Sequence, residues 1–223
     1  FGILAESVGG DGGTLEYQNG EYGTSAPGGP VTITINGAVS VAQNDGDSGA
    51  GAIAASLAGD SNLDAAVPNT VGGSASIDIA AGGTVVAGQT DAEFSVGALA
   101  FTAGTSSILD LFSNDDSSSS GSGYAGDANI TNAGSVTTTG SFSVGLAAIS
   151  VGGAGLATQS ESGTLSYVGN DSTVDEAEGG AVDVTNSGTI ATSGTTAHGI
   201  VALSTGGGGL MLVTEDPGTD DDG

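Results

Sequence analysis

Apolar and polar residues alternate one by one in four short runs of this chain: VTITI from Val31, ASIDI from Ala75, ANIT from Ala128 and VDVT from Val182. Strict alternation puts every second side chain on one face of a β-strand and half-buries it. Each run leads through a Gly-containing turn into a second short apolar run, giving VTITINGAVSV, ASIDIAAGGTVV, ANITNAGSVTT and AVDVTNSGTIAT. The pattern predicts two strands joined by a turn, four times over.

A further element follows each of these pairs and also opens the chain. It has the form Gly-x-x-Ala-x-Ser/Thr with Gly within three residues, and it starts at Gly2 (GILAESVGG), Gly51 (GAIAASLAG), Gly97 (GALAFTAG), Gly145 (GLAAISVGG) and Gly199 (GIVALSTGG). The starts are separated by 49, 46, 48 and 54 residues. One degenerate unit of about 46–54 residues therefore repeats, with cores near 1–10, 31–59, 75–104, 128–153 and 181–209. Between the cores lie Gly/Ser/Asp-rich inserts of unequal length, including Asp115–Ser120 and Asp171–Gly180. Some carry another strand-like run, TLEYQ from Thr14, TLSYV from Thr164 and LMLV from Leu210, read as loops or short hairpins on a repeating frame.

Fixed strands with variable inserts are what stacked layers tolerate, because additions at the corners leave the ladder between layers intact. The expected fold is all-β, a parallel β-helix or β-solenoid. Helical repeats are excluded, since Gly costs about 1 kcal/mol per helix-interior position and recurs every few residues here. Equivalent residues should stack about 4.7–4.9 Å apart. Ile33, Ile77, Ile130 and Val184 form one expected inward column, and Val39, Val85, Val136 and Ile190 another. Asn132 and Asn186 align at one turn, with Asn36 near if one residue is skipped, as in the amide ladders of cross-β layers. One layer per repeat and two smaller layers both fit the spacing. The sequence starts in mid-unit at Phe1 and stops in an acidic insert at Gly223, so further layers are expected from more of the same chain or from another subunit.

Composition narrows the partners. The chain has 43 Gly, no Trp and one Met, so its core must be thin, built from short β-branched and Ala side chains. It has no Lys or Arg against 26 carboxylates. Nucleic acid requires cationic side chains to replace phosphate counterions, and anionic membranes attract polybasic segments, so neither is an expected partner. Self-repulsion on this scale calls for screening salt or bound divalent cations. With no cysteines, backbone ladders rather than disulfides must hold the fold. No run of 18 apolar residues is present for a membrane-spanning helix.

At Ala181–Gly209, AVDVTNSGTIATSGTTAHGIVALSTGGGG, the unit resembles the Gly-rich passenger repeats of very large bacterial autotransporter (type V secreted) surface proteins. Thr185–Ile190 matches the T-N-S-G-x-I segment of that pattern, Ala197–Ala202 its A-x-G-I-x-A stretch, and Ser204–Gly209 its Ser and glycine tract. The resemblance implies a secreted or surface-displayed β-helical passenger, located outside the cell and exported through an outer-membrane barrel. No segment has the evenly spaced amphipathic strands and aromatic girdles of such a barrel. The total lack of Lys and Arg departs from the family and leaves room for a self-assembling extracellular filament that reuses the repeat.

Acidic clusters supply the only metal reading. Asp45 and Asp47 flank Gly46 beside Asn44, and Asp115, Asp116 and Asp127 crowd another insert; hard cations such as calcium favour these oxygen ligands. Neither a D-x-[DN]-x-[DN]-G loop nor regular G-G-x-G-x-D-x-U-x nonapeptides accompany them, GGDGG at Gly9–Gly13 being only a fragment of the latter. Solvated carboxylates are the competing reading. No catalytic residue is assigned. Paired carboxylates could act on glycosides, but they sit in inserts of unequal length, and His198, the single imidazole, occupies the place of Val144 and Val96 as a strand-end substitution. Thr137, Thr138 and Thr139 lack the Thr columns that an ice-binding face needs. Gly206–Gly209 is a turn, since no Gly-Lys-Ser/Thr follows. Three functions remain, in order: a structural filament or passenger stalk that self-associates end to end or laterally; an adhesin presenting Tyr17, Tyr22, Tyr124 or Tyr167 to a host surface or glycan; and a secreted carbohydrate enzyme.

Overall fold

The computed structural model describes residues 1–9, 26–42, 49–58, 70–88, 92, 94–104, 123–152, 158–159, 165–166 and 178–206. These residues form strands, turns and extended segments, with no helix among them. In chain order, β1 (Ile3–Val8) stands alone, followed by β2 (Val31–Ile35), β3 (Ala38–Val41) and β4 (Gly49–Leu57). After the short β5 (Thr70–Val71) come β6 (Ala75–Ile79), β7 (Thr84–Ala87) and β8 (Phe94–Ala103). After β9 (Gly123–Tyr124) come β10 (Ala128–Asn132), β11 (Ser135–Thr139) and β12 (Phe142–Val151). Beyond β13 (Thr158–Gln159) and β14 (Leu165–Ser166) the last set is β15 (Val182–Asn186), β16 (Thr189–Ser193) and β17 (His198–Thr205).

These strands sort into three parallel sheets. Sheet A has the order β1-β4-β8-β12-β17, sheet B β15-β10-β6-β2 and sheet C β16-β11-β7-β3. The chain thus visits B, C and A in turn, four times, and each repeat gives one strand to each sheet. Sheet A packs against both B and C. The registers Ile3↔Ala52, Ala52↔Ala98, Ala98↔Leu146 and Leu146↔Ile200 reproduce the motif spacings of the sequence. Two smaller pairs lie outside this frame: β5 with β9 is parallel, β13 with β14 antiparallel.

Alternation explains sheet B. In β2, β6 and β10 every second residue is buried, and Ile33, Ile77, Ile130 and Val184 pair in register. Val39, Val85, Val136 and Ile190 do the same in sheet C. With Ala52, Ala54, Ala98, Ala100, Leu146 and Ala148 of sheet A they form the core between the three sheets. The alanines keep it thin, as the scarcity of large side chains requires.

Sheet A departs from simple alternation, because β4 is buried at every position. A second apolar cluster, including Ile53, Leu57, Leu99, Phe101, Ile149 and Val151, lies on its other face.

Each hydroxyl of the repeat motif ties sheet A to the segment entering sheet B. Ser56 Oγ donates to Gly29 O (2.8 Å), while Ser7 Oγ, one layer away, accepts from Gly29 N (2.8 Å). Ser150 Oγ donates to Gly126 O (2.9 Å) and accepts from Gly180 N (2.7 Å), again joining neighbouring layers. The Ser/Thr of the motif is therefore a clamp that partners backbone groups of the half-buried Gly29, Gly126 and Gly180.

The amide ladder is shorter than the sequence suggests. Asn132, fully buried, donates from Nδ2 to Asn186 Oδ1 (2.7 Å) and accepts at Oδ1 from Gly134 N (3.1 Å). Its partner in the preceding layer is Ile79, whose own partner is Ile35. Asn36 is thus outside the column, an exposed turn residue one position further on. Replacing Asn132 by Ala should destabilise the chain by about 1–3 kcal/mol, because the Gly134 N–H loses its acceptor in a dry site. The same change at exposed Asn186 should lower stability by less, a difference that urea melts followed by circular dichroism will resolve.

Candidate functional site

Of the five aspartates read as calcium ligands, Asp45, Asp47, Asp115 and Asp116 lie outside the described residues. Asp127 is exposed at the entrance to β10, and its Oδ1 accepts a hydrogen bond from Ala181 N at 2.8 Å. That carboxylate oxygen joins one layer to the next. Among the described residues no group of three His, Cys, Asp or Glu side chains could hold a metal ion.

His198 opens β17, exposed, and pairs with Val144, which pairs in turn with Val96. Tyr124 lies in β9 beside Val71; Tyr17, Tyr22 and Tyr167 are outside the described residues. The threonines of β11 have mixed neighbours, Thr137 meeting Val86 and Ala191, and Thr138 meeting Ala87 and Thr192.

What the fold does assemble is a pair of sheet ends. Among the described residues β1 and β17 are the end strands of sheet A, with β2 and β15 at the ends of sheet B and β3 and β16 at those of sheet C. Strand ends expose unpaired N–H and C=O groups to any further strand. The end layers also leave apolar side chains open: Leu4 is 44% exposed and Val8 49% on β1, and Ile200 is 46% exposed on β17. In the middle strands the residues in register with Ile200, namely Leu146, Ala98 and Ala52, are fully buried.

The repeat glycines mark the same difference atom by atom. A Cβ built on Gly51 would strike Val85 Cγ1 of the following layer, one on Gly97 Val136 Cγ1, and one on Gly145 Ile190 Cγ2. Each glycine is a socket for the sheet C residue of the next layer. Among the described residues a Cβ on Gly199 meets no atom within 4 Å, so no described side chain fills this socket.

One residue that matters at these ends was not singled out in the sequence. Glu6 stands on β1 in register with Ala55, which pairs with Phe101, then Ile149, then Leu203. It is the one charge in that row. Burial nonetheless pushes its carboxyl above the usual carboxylate range. The signal was available: aligning the five motif copies places Glu6 where the others have Ala, Phe, Ile and Leu.

No protein-family model, curated protein or solved structure matches this chain.

Proposed function

We propose that this chain is a structural β-solenoid of the extracellular space, a passenger stalk or filament subunit that lengthens by adding layers at its sheet ends, and not an enzyme. The observation that carries the reading is the recurrence of one strand per repeat in each of three parallel sheets, all in the same order. Winding through B, C and A four times is what a closed β-helical coil requires. Among the described residues the ends of all three sheets carry no further strand, Ile200 is exposed and no atom fills the Gly199 socket, which supplies a template for another layer of the same repeat.

The extracellular setting is supported by the resemblance to autotransporter passenger repeats and by charge. A surface of 26 carboxylates without Lys or Arg repels its own kind until salt screens it. Against catalysis stands the placement of the single imidazole, exposed beside a valine column.

Concentrated chain in physiological or higher salt should therefore form fibres. Electron microscopy would show them, and fibre diffraction should give an axial reflection at about 4.8 Å, the spacing of neighbouring strands. A chain that sediments as a monomer at every salt concentration, up to its solubility limit, refutes lengthening by self-association and leaves the tethered stalk.

A further inference from the structure

The row Glu6, Ala55, Phe101, Ile149, Leu203 crosses sheet A from one end strand to the other. Ala55, Phe101 and Ile149 are buried and Leu203 is half-buried, whereas Glu6 sits on the exposed edge strand between Leu4 and Val8. Those two leucine and valine side chains would suit a joint, and the carboxylate between them would not. A charge on an edge strand is a recognised guard against pairing with another chain.

The occupant of the β1 edge that fits best is the β17 edge of a second copy. Both belong to one parallel ladder, so residues 200–205 and 3–8 already fall in the same columns. Continuing that register would bring Leu203 of one copy beside Glu6 of the next, with Val201 beside Leu4 and Thr205 beside Val8. Glu6 would then stand between Ala55 of its own chain and Leu203 of its neighbour, in an apolar row.

No described cation would meet it there. The strands packed against β1 are β4 and β2, and neither Gly49–Leu57 nor Val31–Ile35 contains a titratable side chain. On β17 the only one is His198, at the far end of the strand from Leu203; the Phe1 amino group lies five positions from Glu6. Such a joint continues sheet A alone, because β2 and β3 stand one layer further in, with β4. With so little ladder to gain, a single unpaired buried charge decides whether it forms.

We propose that Glu6 gates end-to-end pairing of two copies through β1 and β17, so that forming the joint takes up one proton at Glu6. The inference rests on the self-associating reading above and adds its regulation: acid favours assembly and neutral pH restrains it. In the single chain the burial of Glu6 already favours its neutral form, and the joint removes it further from water.

The test compares the full chain with Glu6→Gln and Asp78→Asn, all at one salt concentration, by sedimentation across a pH series. Asp78 is exposed on β6, an inner strand of sheet B, so its variant makes the same charge change away from the joint. Glu6→Gln should assemble at pH 7.5 at a concentration at least about tenfold below that of the parent, the equivalent of one pKa unit. Asp78→Asn should track the parent. The pH dependence of Glu6→Gln should also be shallower by one proton per joint. Equal shifts in the two variants would mean that only net charge matters, which overturns the gate and leaves self-association standing. If all three chains stay monomeric at every pH, self-association itself fails and the gate with it.

Discussion

Gly97→Val should destabilise this chain by about 3 kcal/mol or more, whereas Gly199→Val, the same change at the same motif position two repeats later, should fall within about 0.5 kcal/mol of the parent. The reason is the socket. A Cβ on Gly97 would overlap Val136 Cγ1 and lie 2.5 Å from Gly145 O, while a Cβ on Gly199 meets no described atom within 4 Å. Backbone cannot retreat there: the ladder on either side is fixed by Val96↔Val144 and Ala98↔Leu146. For a domain of this length each kcal/mol moves the melting temperature by about 2–4 °C, so Gly97→Val should melt roughly 6–12 °C lower by circular dichroism. Equal melting of the two variants would show that the glycine column is not closed by the following layer.

The frame of this fold was legible because its repeats conserve spacing where the ladder needs it. Motif starts at Gly2, Gly51, Gly97, Gly145 and Gly199 predict the pairing of sheet A residue for residue, since a parallel register is set by which side chains can stack. The Ile33 and Val39 columns follow from period-two alternation. Asn36 stands one position past the amide column, the one-residue skip that its alignment needed: Ile35 holds the place of Asn132, and the turns 36–37 and 133–134 are equal in length, so Asn36 falls level with Ala133. The number of layers per repeat was undecided in sequence because a short strand costs only four or five residues; the structure gives one strand per sheet per repeat.

Of the candidate site, the sequence supplied residues with chemistry and no geometry. Asp127 was legible as a carboxylate near an acidic insert, whereas the hydrogen bond that its Oδ1 accepts from Ala181 N of the next layer was not. Glu6 looked like one carboxylate among 26, and only the column it shares with Phe101 and Leu203 singles it out. A charge becomes informative when its neighbours across the ladder are known, and those neighbours lie about fifty residues away in sequence.

The second face of sheet A was the least legible feature and gives the other large effect. Runs such as AIAASL and ALAFTA interrupt the alternation, because a strand buried on both faces has no polar side to show. Among the described residues Phe101 is the largest fully buried side chain, 1% exposed, and belongs to the cluster of Ile53, Leu99 and Ile149 rather than to the core between the sheets. Phe101→Ala should therefore cost about 3–5 kcal/mol, the range for truncating a buried aromatic, and as much as or more than Ile77→Ala in the central core. A conservative Phe101→Leu change should recover most of the loss, since volume rather than ring chemistry fills the site. Phe101→Asp should prevent folding, because no Lys or Arg exists in the chain to pair with a buried carboxylate. If Phe101→Ala melts within 1 °C of the parent while Ile77→Ala does not, the outer face of sheet A is solvated in solution, and the stability of the chain resides in the inner columns alone.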